Sequence, residues 1–297
     1  MDQKESRMEQ WKKEIRPIAS EVKYSLYLIR LHPLALAGLT LVVGLMMVAI
    51  LAPWLSPYDP LKVDLPNKLT APNLSHLFGT DEMGRDIFSR VVAGSQISLR
   101  IAASVVAFAF TLGTTLGVIA GMYGGAVDEI IMRITDTFLS IPGLVLALVI
   151  AAALGPSLYN LMLSLCVTWW PWYTRLARGE TLSVREKQYI ESARMVGASD
   201  IRLIFRHILP NCLAPVIVNA SMDMGFVILY AAGLSFIGLG AQPPSPEWGA
   251  MLSLGRGYMR EAWWAATFPG LAILTTVLGF NLLGDGLRDI LDPKLRR

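Results

Sequence analysis

Six long apolar runs dominate this chain, and each leaves its backbone little choice of structure. They extend from Leu34 to Ala52, Leu99 to Met122, Thr137 to Leu154, Leu158 to Tyr173, Leu213 to Leu239 and Trp263 to Leu283. Roughly 20 apolar residues in a helix span the ~30 Å hydrocarbon core of a bilayer. Lipid offers no water to N–H and C=O groups, so such segments close their backbone hydrogen bonds internally, as helices. Composition agrees, since 54% of the 297 residues are hydrophobic and only 16% are charged, against about 25% charged in soluble domains. The expected fold class is all-α, a polytopic membrane protein with six transmembrane helices.

Lys and Arg are spread unevenly between the runs. Residues 1–33 hold seven, 123–136 one, 174–212 seven, and the C-terminal end four (Arg288, Lys294, Arg296 and Arg297). The alternate links hold fewer, with five in 53–100, none in 155–157 and two in 240–262. That bias places both termini and the 174–212 link in the cytoplasm. The net charge of +3 therefore reads as topology and not as a nucleic-acid surface. The expected division is a cytoplasmic N-terminal tail at 1–33, a first transmembrane helix at 34–52 and an extracytoplasmic loop at 53–96. A main membrane body at 97–286 and a cytoplasmic C-terminal tail at 287–297 complete it. The first run starts behind a charged tail with no small-residue cleavage site, so it is expected to be a retained anchor. Cys166 and Cys212 form neither a CxxC site nor a disulfide framework and read as packing residues.

One polar island interrupts the body: SVREKQYIESARMVGASDIRLIFRHILP, from Ser183 to Pro210. Tyr189, Ile190, Ala193 and Val196 recur at helical spacing, and Ile201, Ile204, Phe205 and Ile208 repeat it. Glu186, Lys187, Glu191, Arg194, Arg202 and Arg206 fall outside those stripes. Gly197 suits the left-handed end of the first helix, Ser199 the cap of the second, and Pro210 its stop. This predicts a helix–turn–helix with one apolar face for a partner.

Catalytic signatures do not appear: there is no GxxxxGK[ST], HExxH or GxSxG. His32, His76 and His207 lie too far apart along the topology to converge on a metal. Asp81, Glu82 and Asp86 in GTDEMGRDIFSR read as helix-start electrostatics in preference to a cation site. Gly113, Gly117 and Gly121, at four-residue steps, read as a packing ridge for another helix. Asp223 sits near mid-membrane depth, where a charge costs at least ~2.5–3.5 kcal/mol, with Asn219 one turn before it. Two readings stay open for this pair: a polar contact lining a translocation path, or a structural bond within the chain or to a neighbouring subunit. Asn281 and Asp285 read as a helix-end network. Trp169, Trp170, Trp172, Trp263 and Trp264 read as interfacial belt residues ahead of substrate-stacking groups. The proline-rich GAQPPSPEWGAML, Gly240 to Leu252, is expected to be stiff and exposed, either docking an external protein or forming a structured turn.

The island also carries a family likeness. Glu191-Ser192-Ala193, three residues, Gly197, eleven more and then Leu209-Pro210 resemble the EAA loop of ABC importer permeases. Ser192 stands where that family usually has alanine, and His207 where it usually has isoleucine. FGTDEMGRDIFSRV, SFIGLGAQPPSPEWGAML and FNLLGDGLRDILDPKL are similar to the dipeptide/oligopeptide/nickel permeases, in their dipeptide permease C branch. The resemblance implies a type I importer permease fold, an ABC type-1 transmembrane domain over 97–286 and a coupling loop at 183–211. It implies coupling to an ATPase through Glu191, Ser192, Ala193, Gly197, Ile201, Leu209 and Pro210. The implied partners are a second homologous permease, two cytoplasmic ATPases carrying ATP and Mg, and an extracytoplasmic solute-binding protein. No cofactor is expected on this chain itself, and no nucleic-acid partner. The implied function is import of di- or oligopeptides across the inner (plasma) membrane by alternating access. The alternatives are a nickel or other small-solute permease and, in a different class, a secondary transporter working without an ATPase.

Overall fold

A computed structural model describes residues 32–291. The expected N-terminal tail, up to residue 31, and Lys294, Arg296 and Arg297 of the C-terminal tail lie outside the described residues. The named elements are all helical: α1 (Pro33–Leu55), α2 (Ile87–Tyr123), α3 (Gly125–Leu139), α4 (Gly143–Leu154) and α5 (Leu158–Arg185). After them come α6 (Gln188–Met195), α7 (Asp200–Leu203), α8 (Leu209–Phe236), α9 (Trp248–Gly255) and α10 (Trp264–Leu291). A π-helical turn, Ile204–Ile208, joins α7 to α8. Among the described residues, four helices are long and apolar enough to cross a bilayer: Pro33–Leu55, Ile87–Tyr123, Asp200–Phe236 and Trp264–Ile290. The pair α3 and α4 makes a fifth crossing or a re-entrant loop, bent by 83° at its break.

Two expected segments differ from what is found. Thr137 to Leu154 is not one helix: α3 ends at Leu139, and α4 starts afresh after Pro142, its N-cap. The proline ring clashes with a preceding helical turn, which explains the break. The segment ending at Tyr173 instead runs on through Pro171 as far as Arg185. Its polar extension is secured by charge. Arg178 grips Asp128 through two bonds of 2.5 and 2.6 Å, and Arg175 reaches Asp136 at 2.5 Å. Arg185 donates to the carbonyls of Gly121 and Met122 at 2.9 and 3.0 Å, capping the C-terminal end of α2.

Close helix packing rests on small residues. A Cβ on Gly113, Gly117 or Gly121 would run into α5 at Trp170–Tyr173, Thr174–Ala177 and Thr181 respectively. The ridge is thus a packing surface, and α2 with α5 forms the most extensive helix pair in the fold. Gly38 and Gly286 do the same between α1 and α10, where a Cβ would meet Leu282–Leu283 and Ala35. The other face of α1 presents Leu36, Val43, Met46, Met47, Ile50 and Trp54, all exposed.

Outside the membrane body, the residue 56–86 loop is tied down by a buried ionic knot. Asp81 accepts from the backbone of Met83 and Arg85 at 2.9 Å and from Arg85 Nε at 2.7 Å. Arg90, only 1% exposed, lies 3.5 Å from Asp81 and donates to the Pro60 carbonyl at 2.9 Å. Asp86 caps α2 by accepting from Ser89 N at 2.8 Å, and its other oxygen contacts His76 at 2.9 Å. Glu82 pairs with Arg85. These acids are therefore committed to helix-start and ion-pair contacts, as their position suggests. The Gly240–Leu252 loop is exposed only in part. Gln242, Pro243 and Pro244 face solvent, whereas Glu247 and Trp248 are buried. Trp248 donates to the Val91 carbonyl at 2.9 Å, and Glu247 caps α9 on Gly249 N and Ala250 N. Burial pushes the Glu247 carboxyl up, partly offset by those two backbone bonds. Trp264 is likewise buried and donates to the Thr80 carbonyl, so it is not a belt residue. Asn281 donates to Val277 of its own helix, and among the described residues no hydrogen bond joins it to Asp285.

Two pairs of variants test this packing. Gly117→Ala forces a Cβ into the α5 backbone and should destabilise the detergent-solubilised protein by about 1–3 kcal/mol. Gly44→Ala, with open space at its Cβ, should leave the unfolding midpoint unchanged. Arg90→Met takes the donor from the Pro60 carbonyl and one of two guanidiniums from Asp81, which keeps Arg85, and should cost about 1–3 kcal/mol. Arg133→Met, at an exposed pair with Glu129, should cost well under about 1 kcal/mol in the same denaturation assay.

Candidate functional site

The island folds as its sequence suggests at the turn. Gly197 has φ +86°, in the left-handed region. Ala198 N–H bonds the Ala193 carbonyl at 3.1 Å and Gly197 N–H bonds that of Arg194 at 3.0 Å, closing α6 with a Schellman motif. Ser199 caps α7 by accepting from Arg202 N at 3.4 Å. An ion pair of 3.8 Å between Arg194 and Asp200 spans the corner.

Pro210 does not end the second helix. It occupies the first turn of α8, and the chain is helical from Asp200 to Phe236. A π-turn makes this possible: the Leu209 N–H reaches back to the Ile204 carbonyl, one residue further than in an α-helix. The widened turn accommodates a proline that has no N–H to give. Asn211 Nδ2 supplies a donor to the His207 carbonyl.

The apolar residues of the island divide into two sets. Ile190, Leu203, Ile208 and Cys212 are buried against Val118 and Met122 of α2 and Val184 of α5, with Ala193, Ala198, Ile204 and Leu209 packed beside them. Val196 (86% exposed), Met195 (77%), Phe205 (68%) and Ile201 (67%) face away, with Tyr189 half-exposed near them. The expected single partner face is thus corrected: half of it holds the loop to its own chain. Of the residues implied in coupling, Glu191, Ser192, Gly197, Ile201 and Pro210 are exposed, and Ala193 and Leu209 are half-buried. The Ser192 hydroxyl donates to the Gln188 carbonyl at 3.0 Å, within its own helix. Met195 and Leu203 escape the sequence pattern because each lies one position off the assumed stripe.

Further along α8, Asn219 spends its amide on the Pro215 carbonyl at 3.0 Å. Asp223, on the same face, lines an open cavity of about 260 Å³ with Gly143 of α4, Thr168, Trp169 and Trp172 of α5, and Tyr230 of α8. One carboxylate oxygen of Asp223 and the hydroxyl of Tyr173 are buried without hydrogen-bond partners. Trp169 meets Tyr230 edge to face, with centroids 5.0 Å apart. Trp170 packs against Phe138. The approach of Trp169 and Trp172 to Asp223 is not evident in sequence, because α5 and α8 are brought together only by the fold. Among the described residues, no group of three or more His, Cys, Asp and Glu is placed to hold a metal ion.

Comparison with known proteins gives this geometry a family. The model for the binding-protein-dependent transport system inner membrane component matches residues 113–297, and that for the N-terminal transmembrane domain of oligopeptide transport permease C matches residues 26–72. A probable D,D-dipeptide transport system permease protein of Escherichia coli K12 is 52% identical, with 90% of each chain covered. A glutathione transport system permease protein of another Escherichia coli strain is 47% identical over 90% of this chain and 88% of its own. A dipeptide transport system permease protein of Alkalihalophilus pseudofirmus is 46% identical over 89% and 87%. The inward-facing MetNI methionine ABC transporter shares the fold, with a TM-score of 0.56 and 20% identity over 69% of this chain and 97% of that one. The fold is therefore that of a type I importer permease, and the chain is a multi-pass inner-membrane transport component and not a catalytic subunit. This chain belongs to the family of binding-protein-dependent transport system inner membrane components.

Proposed function

We propose that this chain is one transmembrane subunit of an ATP-driven importer of di- or oligopeptides, working by alternating access. In this reading it spans the membrane six times, with both termini cytoplasmic. α5 supplies the crossing that falls short in apolar length, and α3 with α4 supplies a bent one. A second permease stands beside it, two cytoplasmic ATPases hold ATP and Mg, and an external solute-binding protein delivers cargo. The peptide cargo rests on relatives described as dipeptide, D,D-dipeptide and glutathione permeases.

The observation that carries this reading is the outward apolar set at the Gly197 corner. Met195, Val196, Ile201 and Phe205 are uncovered on a loop that also bears Glu191, Arg194, Arg202 and Arg206. Those charges make the loop a poor surface for lipid and a good one for a protein groove. Burying the four apolar side chains is worth roughly 1.5–3 kcal/mol each before association costs. Glu191 and Arg194 would set the register by charge. An ATPase that binds the corner differently in its open and closed states would then turn α8 with it.

Gly197→Pro replaces a positive φ with one fixed near −65°, and Glu191→Lys inverts the charge beside the groove. Both should insert normally and abolish substrate-stimulated ATPase activity in the reconstituted complex; unchanged stimulation would refute the coupling role. The rival secondary transporter is tested by leaving out the ATPase subunits. Peptide uptake into proteoliposomes should then vanish, and uptake that persists would favour the rival.

A further inference from the structure

Asp223 is an acid on a membrane helix, about ten residues from the start of its apolar run and thirteen before α8 ends at Phe236. Among the described residues no Lys or Arg forms an ion pair with it, and the polar groups beside it are the Tyr173 hydroxyl and the Trp169 indole. A carboxylate at such depth is costly, and acids kept there face the bundle interior or a water-filled cavity and mark substrate or ion pathways.

The rest of the cavity has the character of a cation receptacle. Trp169, Trp172 and Tyr230 line it, Trp172 is half-exposed, and the Trp169 and Tyr230 rings stand nearly perpendicular. Aromatic faces attract a cation within about 6 Å of their centroids, most strongly when water is excluded. A volume of about 260 Å³ admits an ammonium group with its first residue, and the cavity is open. No phosphate- or carboxylate-binding Arg or Lys lines it.

We infer that Asp223, with Trp169, Trp172 and Tyr230, forms a site for the N-terminal ammonium of a peptide in transit. This rests on the peptide reading above and deepens it: the permease itself, and not only its delivery protein, reads one end of the cargo. Asp223 would accept from the ammonium while the rings cover its other faces, with the Tyr173 hydroxyl free to complete the carboxylate's hydrogen bonding.

The test uses the full complex in proteoliposomes. The probes are alanyl-alanine, in L,L and D,D forms, and N-propionyl-alanine, the analogue without the ammonium, each at equal occupancy of the delivery protein. Wild type should import alanyl-alanine about tenfold faster than the analogue. Asp223→Asn, close to the same shape, should cut alanyl-alanine import about tenfold and leave the analogue within twofold, so the preference collapses; Asp223→Glu should restore most of it. A loss by Asp223→Asn that is equal for both probes would assign Asp223 a structural bond and overturn the inference. So would an unchanged ratio. A wild-type complex that imports neither alanyl-alanine form would instead overturn the peptide reading, and the inference with it.

Discussion

Pro210 withholds a backbone donor from a helix that nevertheless runs from Asp200 to Phe236, and the π-turn at Ile204–Ile208 reconciles the two. In water a proline there would more readily end the helix. Near a membrane the freed groups must find partners inside the protein, and Leu209 N–H and Asn211 Nδ2 supply donors to Ile204 and His207. The consequence is mechanical. The corner at Gly197 is built onto the same helix as Asp223, 23 residues beyond Asp200, about 35 Å at 1.5 Å per residue.

The corner is also clamped laterally. Ile190, Leu203 and Ile208 bury themselves against α2 and α5, and the glycine ridge of α2 presses those two helices together. Arg185 closes the end of α2, while Arg175 and Arg178 fasten α3 to α5. A push on the loop therefore reaches several helices through packed side chains and ion pairs, without a free hinge in the loop's inner face. The outward residues differ from the exposed apolar residues of α1. On α1, Leu36, Met46 and Ile50 lie along an apolar span; at the corner, Val196 and Phe205 sit among charged neighbours, the setting that the proposed ATPase contact would cover.

Much of this was legible in the sequence because it depends on local rules. The apolar runs dictated helices, Gly197 and Ser199 marked a turn and its cap, and the four-residue glycine steps marked a packing ridge. The misreadings share a cause. Pro210 read as a stop because its cost is local, whereas the interactions that offset it come from the surrounding fold. The island's two apolar sets read as one because Ile201 and Phe205 lie next to Ile204 and Ile208 around the helix, one residue step away. Only the position of α2 and α5 decides which set turns inward. Ser140-Ile141-Pro142-Gly143 did carry a visible break signal, and a segment drawn across it was too long. Tyr230, seven residues beyond Asp223 on the same helix, was within reach of a helical-spacing argument, whereas Trp169 and Trp172 had no signal, since α5 meets α8 only in the fold.

The central claim is that the Gly197 corner and the membrane portion of α8 move as one body. Distances between spin labels at Val196 and Leu229, both exposed, test it most directly in the assembled complex, with and without trapped ATP. The account predicts the same distance in both states while the Val196 label shifts relative to one on the transmembrane part of the second permease. A change of about 5 Å between Val196 and Leu229, one helical turn, would make the π-turn a hinge and contradict it.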